Sequence, residues 1–157
     1  MIKKGFLLLT ILFVLSCKKD TSKLFGNYEQ GGLIFYVYDK KHPEFERRKT
    51  KGLVVTASDV NGGTDWEGAR AFADSYVFDG YDDWRLPSAV ELDFMFDNLH
   101  LNSHGAFDIT FNVHYWASDE VDADRARFKG FYGTSGNSGG TLKTNLLKVR
   151  LVREFKI

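Results

Sequence analysis

The stretch Tyr81-Asp82-Asp83-Trp84-Arg85-Leu86-Pro87-Ser88-Ala89-Val90-Glu91-Leu92 decides how the rest of the chain is read. Its second half is a helix start. Ser88 and Glu91 have the spacing of a capping box, in which the hydroxyl accepts from the Glu91 amide and the carboxylate accepts from the Ser88 amide. Leu92, Met95, Phe96 and Leu99 then recur at i, i+3, i+4 and i+7, which predicts one buried helical stripe. Leu86 and Pro87 fix the entry angle and can pack on Leu92 as a hydrophobic staple. Arg85 offers a planar fork of donors suited to loop carbonyls or a carboxylate. Asp83, Trp84, Arg85, Leu86, Pro87 and Glu91 therefore read as one structural motif rather than a ligand site.

Upstream, Thr64 and Glu67 form a second T-x-x-E box after the Asn61-Gly62-Gly63 turn. Trp66, Ala69, Ala73 and Tyr76, flanked by Phe72, predict a first helix ending near Phe78-Asp79-Gly80. Earlier still, Gly31-Gly32 precedes the run Leu33 to Tyr38, a strand covered on both faces, and Leu53 to Ser58 is the return strand. Downstream, short strands are expected at His114–Ser118, Ala126–Tyr132 and Leu146–Glu154. In the last, Leu147, Val149 and Leu151 face inward and Lys148 and Arg150 face water. Gly130 to Gly140 holds five glycines and reads as a mobile loop. Strand pair, two helices, then strands predict an α+β fold with two helices packed on short, mainly antiparallel strands.

The 157 residues suffice for one domain, and 43% hydrophobic with 15% aromatic composition excludes a disordered chain. Twenty-one basic residues balance 21 acidic ones. No nucleic-acid partner is expected of a chain without a basic surface. The single cysteine, Cys17, rules out an internal disulfide and a Cys-rich metal site.

The N-terminus reads as an address. Lys3 and Lys4 precede a ten-residue run from Phe6 to Leu15 that is apolar except for Thr10. As a helix that run rises about 15 Å, half of a bilayer core of ~30 Å. Residues 1–16 are therefore a signal peptide rather than a span. Val14-Leu15-Ser16-Cys17 resembles a bacterial lipobox, which implies cleavage before Cys17 and lipid on its sulfur and amine. An ordinary secretory signal is the plainer reading of the same residues. On the lipobox reading residues 17–25 are a lipidated cysteine and tether, and the domain runs 26–157. Its partner is the lipid bilayer and its location the bacterial cell envelope, at the outer membrane or cell surface rather than the inner membrane.

The string Asp83-Trp84-Arg85-Leu86-Pro87-Ser88 with Glu91-Leu92 resembles the D-W-R-L-P-(S/T)-x-x-E-L signature of the Lcl C-terminal domain family. Gly31-Gly32, Gly52-Leu53-Val54-Val55, Trp66 with Ala69, Tyr115-Trp116-Ala117-Ser118 and Val149 to Arg153 match in the same order. The resemblance implies a C-type-lectin-like fold related to formylglycine-generating enzymes. It also implies a bacterial surface module for adhesion or binding, the founding example of which binds glycosaminoglycans. Two features depart from the pattern: Ala73 stands where many relatives carry a cysteine, and the loop from Asp39 to Gly52 is longer and more charged.

That loop is the candidate anion-binding site. Lys40, Lys41, Arg47, Arg48, Lys49 and Lys51 face only Asp39, Glu44 and Glu46, a local net of +3. It is either a solvated hairpin tip or a patch for a sulfated or phosphorylated polymer. His100, His104 and His114 lack a metalloprotease pattern and read as solvated loop histidines. Asp119, Glu120, Asp122 and Asp124 read as a solvated acidic turn rather than a calcium site. No metal, cofactor or catalytic residue is expected. Chemistry of the formylglycine-generating type needs reactive cysteines, and the lipid anchor takes the only one. The expected function is a non-enzymatic binding domain for an extracellular glycan or protein; the alternative is an assembly partner in an envelope complex.

Overall fold

Apolar residues on both sides of one strand pair organise this chain into layers. The computed structural model describes residues 20–157, so the expected signal peptide and the expected lipidation at Cys17 lie outside the described residues. The strands are β1 (Tyr28–Glu29), β2 (Gly32–Val37), β3 (Lys51–Val55), β4 (His114–Glu120), β5 (Arg125–Gly130), β6 (Asn137–Leu142) and β7 (Val152–Lys156). The helices are α1 (Trp66–Ser75) and α2 (Ala89–Asn98). One sheet has the order β1-β2-β3-β7 and the other β4-β5-β6, with every pair antiparallel. This is the expected α+β fold. Among the described residues no helix is long and apolar enough to cross a membrane.

The four-stranded sheet divides the core. Ile34, Val54 and Phe155 join Trp66, Ala69, Ala73, Trp84 and Leu86 on the α1 side. Phe35, Leu53, Val55 and Val152 join Leu92, Met95, Phe96 and Leu99 on the α2 side. Strand alternation alone would put Phe35 and Tyr36 on opposite faces. A register shift between Ile34 and Tyr36 instead lets both pack toward α2. Leu86 belongs to the α1-side cluster, so it does not staple onto Leu92.

The α2 capping box forms as expected: Ser88 Oγ accepts from the Glu91 amide at 3.2 Å and Glu91 Oε2 from the Ser88 amide at 2.7 Å. Asp119 Oδ2 adds a third bond, from the Ala89 amide at 2.6 Å. The α1 cap differs from expectation. Thr64 is bridged to Leu147 in both directions, and the cap is Asp65, whose carboxylate accepts from the Gly68 amide at 2.7 Å. The helix stops at Ser75, and Phe78 to Tyr81 forms a separate tight hairpin.

Two expectations in the C-terminal half are corrected. The Gly130–Gly140 segment is not a loop throughout: β6 pairs with β5 over six rungs. Arg150 does not face water; it is fully buried, and the regular strand begins only at Val152. At the other end, Ser22–Leu24 forms a 3-10 turn, and Leu24 and Phe25 already pack on the core.

Candidate functional site

The D-W-R-L-P segment is tied down on all sides. Arg85 pairs its backbone with Val152 of β7, and the Pro87 carbonyl accepts from the Ser118 amide at 2.8 Å. The Arg153 guanidinium grips both oxygens of Asp83 (2.5 and 3.2 Å), donates to the Gln30 carbonyl at 3.1 Å and lies 3.7 Å over the Tyr81 ring. Arg85 makes a bidentate pair with Glu91 at 2.8 and 2.6 Å and donates to the Leu86 carbonyl. Its side chain is 49% exposed, so the pair is a surface clamp rather than a buried anchor. Trp84 is buried, and its indole Nε1 has no hydrogen-bond partner among the described residues.

The buried anchor is Arg150. It donates to Asp59 Oδ1 (2.7 Å), the Thr56 carbonyl (2.7 Å) and the Ala106 carbonyl (2.9 Å), and lies 4.6 Å from the Phe107 ring centre. Lys148 bridges Asp59 and Asp108 at 2.8 and 2.7 Å, and the Tyr115 hydroxyl reaches Asp59 Oδ1 at 3.0 Å. The Lys148 ammonium and the Thr110 amide hold the Asp108 carboxyl down to about 2. Burial pushes the Tyr115 phenol up to about 12. Every member is satisfied, so the network fastens the irregular segment 103–113 to the C-terminal strand instead of facing a ligand.

An open recess of about 430 Å³ lies on the second sheet. Phe128 and His114, ring centres 4.3 Å apart, supply an aromatic wall. Asn112, Thr141, Asn145, Leu146 and Leu147 complete the lining, which contains no charged side chain. The Asn145 amide donates to Thr141 Oγ1 at 2.6 Å, and burial holds the His114 imidazole below its ordinary range, so it is neutral at pH 7. Asn137 touches His114 Nε2 at 3.2 Å, and its Oδ1 is buried with no partner among the described residues. Phe111 packs edge-on against Tyr132 at 5.1 Å, and Tyr132 shares the Gly130 backbone as a neighbour with His114. A second cleft, about 200 Å³, lies between α1 and the D-W-R-L-P segment. Its volume is below the 300–1,000 Å³ of small-molecule sites. Of its guanidiniums, Arg85 is filled by Glu91, and Arg70 leans on Glu67 and the Trp66 ring.

The family model of the Lcl C-terminal domain matches residues 40–153, most of the chain and all of the D-W-R-L-P segment. The chain belongs to the Lcl C-terminal domain family. Among curated proteins none matches it.

Within this Lcl C-terminal domain the basic loop is not a uniform patch. Glu46 takes Lys49, Lys51 and Lys156 at 3.5, 2.8 and 2.9 Å, and Glu44 approaches Lys51 at 3.6 Å. Lys51 opens β3 and its side chain is largely covered. Lys40, Lys41, Arg47 and Arg48 are exposed and make no ion pair among the described residues. The structure thus divides the six candidates into four free cations and two engaged ones.

The other candidates serve the Lcl C-terminal domain structurally. His100 lies within 3.0 Å of the Gly133 carbonyl and packs on Phe96, while His104 sits against Gly26. His104 is nonetheless exposed, as expected of a loop histidine, whereas His100 is half-buried and His114, on β4, is half-buried in the wall of the recess. The acidic turn is likewise engaged: Asp119 caps α2, Glu120 pairs with Lys143 and Asp122 with Arg125. Among the described residues no three His, Cys, Asp or Glu converge on a possible metal position. Sequence reasoning missed the recess because its lining comes from the segment before β4, from β4, β5 and β6, and from the segment after β6. The one local signal was a set of aromatics and amides, Phe111-Asn112 and Asn145, in stretches too polar to bury them.

Proposed function

We propose that this Lcl C-terminal domain is a non-enzymatic binding module of the bacterial cell envelope, held on a membrane by lipid on Cys17, with an extracellular glycan or protein as its ligand. The recess on the second sheet carries this reading. A sugar ring offers C–H faces that pack on an aromatic wall and hydroxyls that bond to amides and hydroxyls, and Phe128, His114, Asn112, Thr141 and Asn145 supply those groups together. A neutral lining selects by shape and hydrogen bonding rather than charge. It therefore fits an uncharged stretch of glycan better than a sulfate-dense one. The four free cations of the 39–52 loop would add electrostatic attraction for an anionic chain. The absence of any cysteine beyond Cys17 supports a non-enzymatic role against cysteine-dependent formylglycine chemistry.

The anchor is tested by fractionation. Wild type stays with membranes through a high-salt wash, and Cys17→Ser moves the protein to the soluble fraction. Retention of the mutant would remove the lipid anchor from the reading. The ligand class is tested by presenting the soluble domain from Thr21 onward to a glycan array, with pull-down from envelope extract alongside. Selective glycan binding supports the module. Silence on the array with one partner recovered at fixed stoichiometry supports the assembly role instead.

A further inference from the structure

We infer that a small aromatic tip beside the β1–β2 turn docks this domain onto the lipid surface and so fixes its orientation; this rests on lipidation of Cys17. Val77 and Phe78 are 66% and 44% exposed, and Tyr28 of β1 is 54% exposed. Phe78 stacks on Tyr76 with ring centres 6.2 Å apart. The tip is rigid. Phe78 and Tyr81 exchange two backbone hydrogen bonds of 3.0 Å around Asp79 and Gly80, whose φ angles of 54° and 81° are those of a two-residue hairpin turn. The neighbouring β1–β2 turn braces it: a Cβ at Gly31 would stand 3.4 Å from Asp79 Cβ and 3.6 Å from Tyr81. Rigid presentation of apolar side chains costs no ordering on contact, in contrast to a floppy loop.

Chain length says what covers the tip. Only residues 18–21 separate Cys17 from the folded Ser22–Leu24 turn. The five steps from Cys17 to Ser22 reach at most ~18 Å, so the lipid surface lies close to where the chain enters. Tyr28 follows four residues after that turn and lies near enough to Asp79 and Tyr76 to interact electrostatically with both. Tyrosine and phenylalanine suit the headgroup boundary, where an apolar body meets polar surroundings. Three exposed side chains are far fewer than the roughly 20–30 residues that each side of a stable protein interface takes. They suffice here because the anchor makes docking intramolecular, at an effective concentration that a weak contact can use.

The test uses the full lipidated chain in phosphatidylcholine vesicles containing brominated lipid. With Cys17 acylated, Asp79→Cys supplies a free thiol for an environment-sensitive fluorophore. The expected result is a blue-shifted emission that loses most of its intensity to the brominated chains. The same label at Asn145→Cys, in the recess, stays unquenched. Adding Val77→Ser and Phe78→Ser abolishes quenching at position 79 while the protein stays with the vesicles; Val77→Ser alone, at a mostly exposed position, gives a partial loss should the double variant fold poorly. A vesicle-bound wild type with no quenching at 79, or with equal quenching at 145, overturns the docking and leaves the anchor standing. A wild type that washes off the vesicles overturns the anchor and the docking together.

Discussion

Removing the Arg150 guanidinium would take a donor from the Thr56 and Ala106 carbonyls and from the Asp59 carboxylate at once, in a place without water to replace it. Arg150→Met should therefore cost about 3–5 kcal/mol, as when one partner of a buried pair is deleted. Arg85→Ala removes a pair that is half in water and should cost about 1 kcal/mol or less. Chemical denaturation of both variants checks the ranking. Equal effects would mean that the exposed clamp, not the buried arginine, holds the segment. Acid separates the network further. Asp108 titrates lower in the fold than unfolded, so its contribution is present above the unfolded value near 3.8 and is lost as pH falls toward about 2. Stability should drop over that window, and Asp108→Asn should flatten the drop. The arginine roles show what residue-level reading can reach. A motif marks Arg85 as important, but burial is set by what packs from elsewhere, and Arg150 looked like the wet face of an alternating strand.

At the scale of elements, β2 and β3 approach so closely at Gly52 that an added Cβ would stand 2.0 Å from the Tyr36 carbonyl oxygen and 2.9 Å from Phe155. Gly52→Ala should force the pair apart and cost about 1–3 kcal/mol, the range for overpacking. Ser88→Ala, by contrast, removes one cap bond from α2 and should cost about 1 kcal/mol. Thermal melts of the two variants order these effects. A Gly52→Ala protein as stable as wild type would show that the sheet has slack that the register does not suggest. The elements with local signals were legible in the sequence: the α2 stripe and its box, the α1 stripe, and the two-faced β2–β3 pair. Those set by tertiary partners were not. Thr64 carries the right residue for a cap but is held in a bridge by Leu147, so the cap falls to Asp65. β6 is glycine-rich because it packs close on its neighbours, with a Cβ at Gly139 only 3.1 Å from Phe128. In the sequence the same glycines look like a loop.

For the whole molecule, the charged loop and the neutral recess make opposite demands on a ligand. Glu44 and Glu46 hold Lys49 and Lys51, so retention on heparin-like resin should be weak and should fade between low and physiological salt as the Debye length shrinks from about 30 Å to about 8 Å. Arg47→Glu with Arg48→Glu should abolish what remains and leave the melt unchanged; strong retention at physiological salt that this variant abolishes would make the loop, rather than the recess, the main ligand contact. The most direct measurement is a binding isotherm of a glycan selected on the array, taken with the wild-type domain and with Asn112→Ala/Asn145→Ala, two exposed positions in the recess. The expected result is a loss of about tenfold or more, equivalent to the ~1.4 kcal/mol that one or two lost hydrogen bonds supply, with an unchanged melt. Identical isotherms would place the ligand elsewhere and contradict the recess as the binding site.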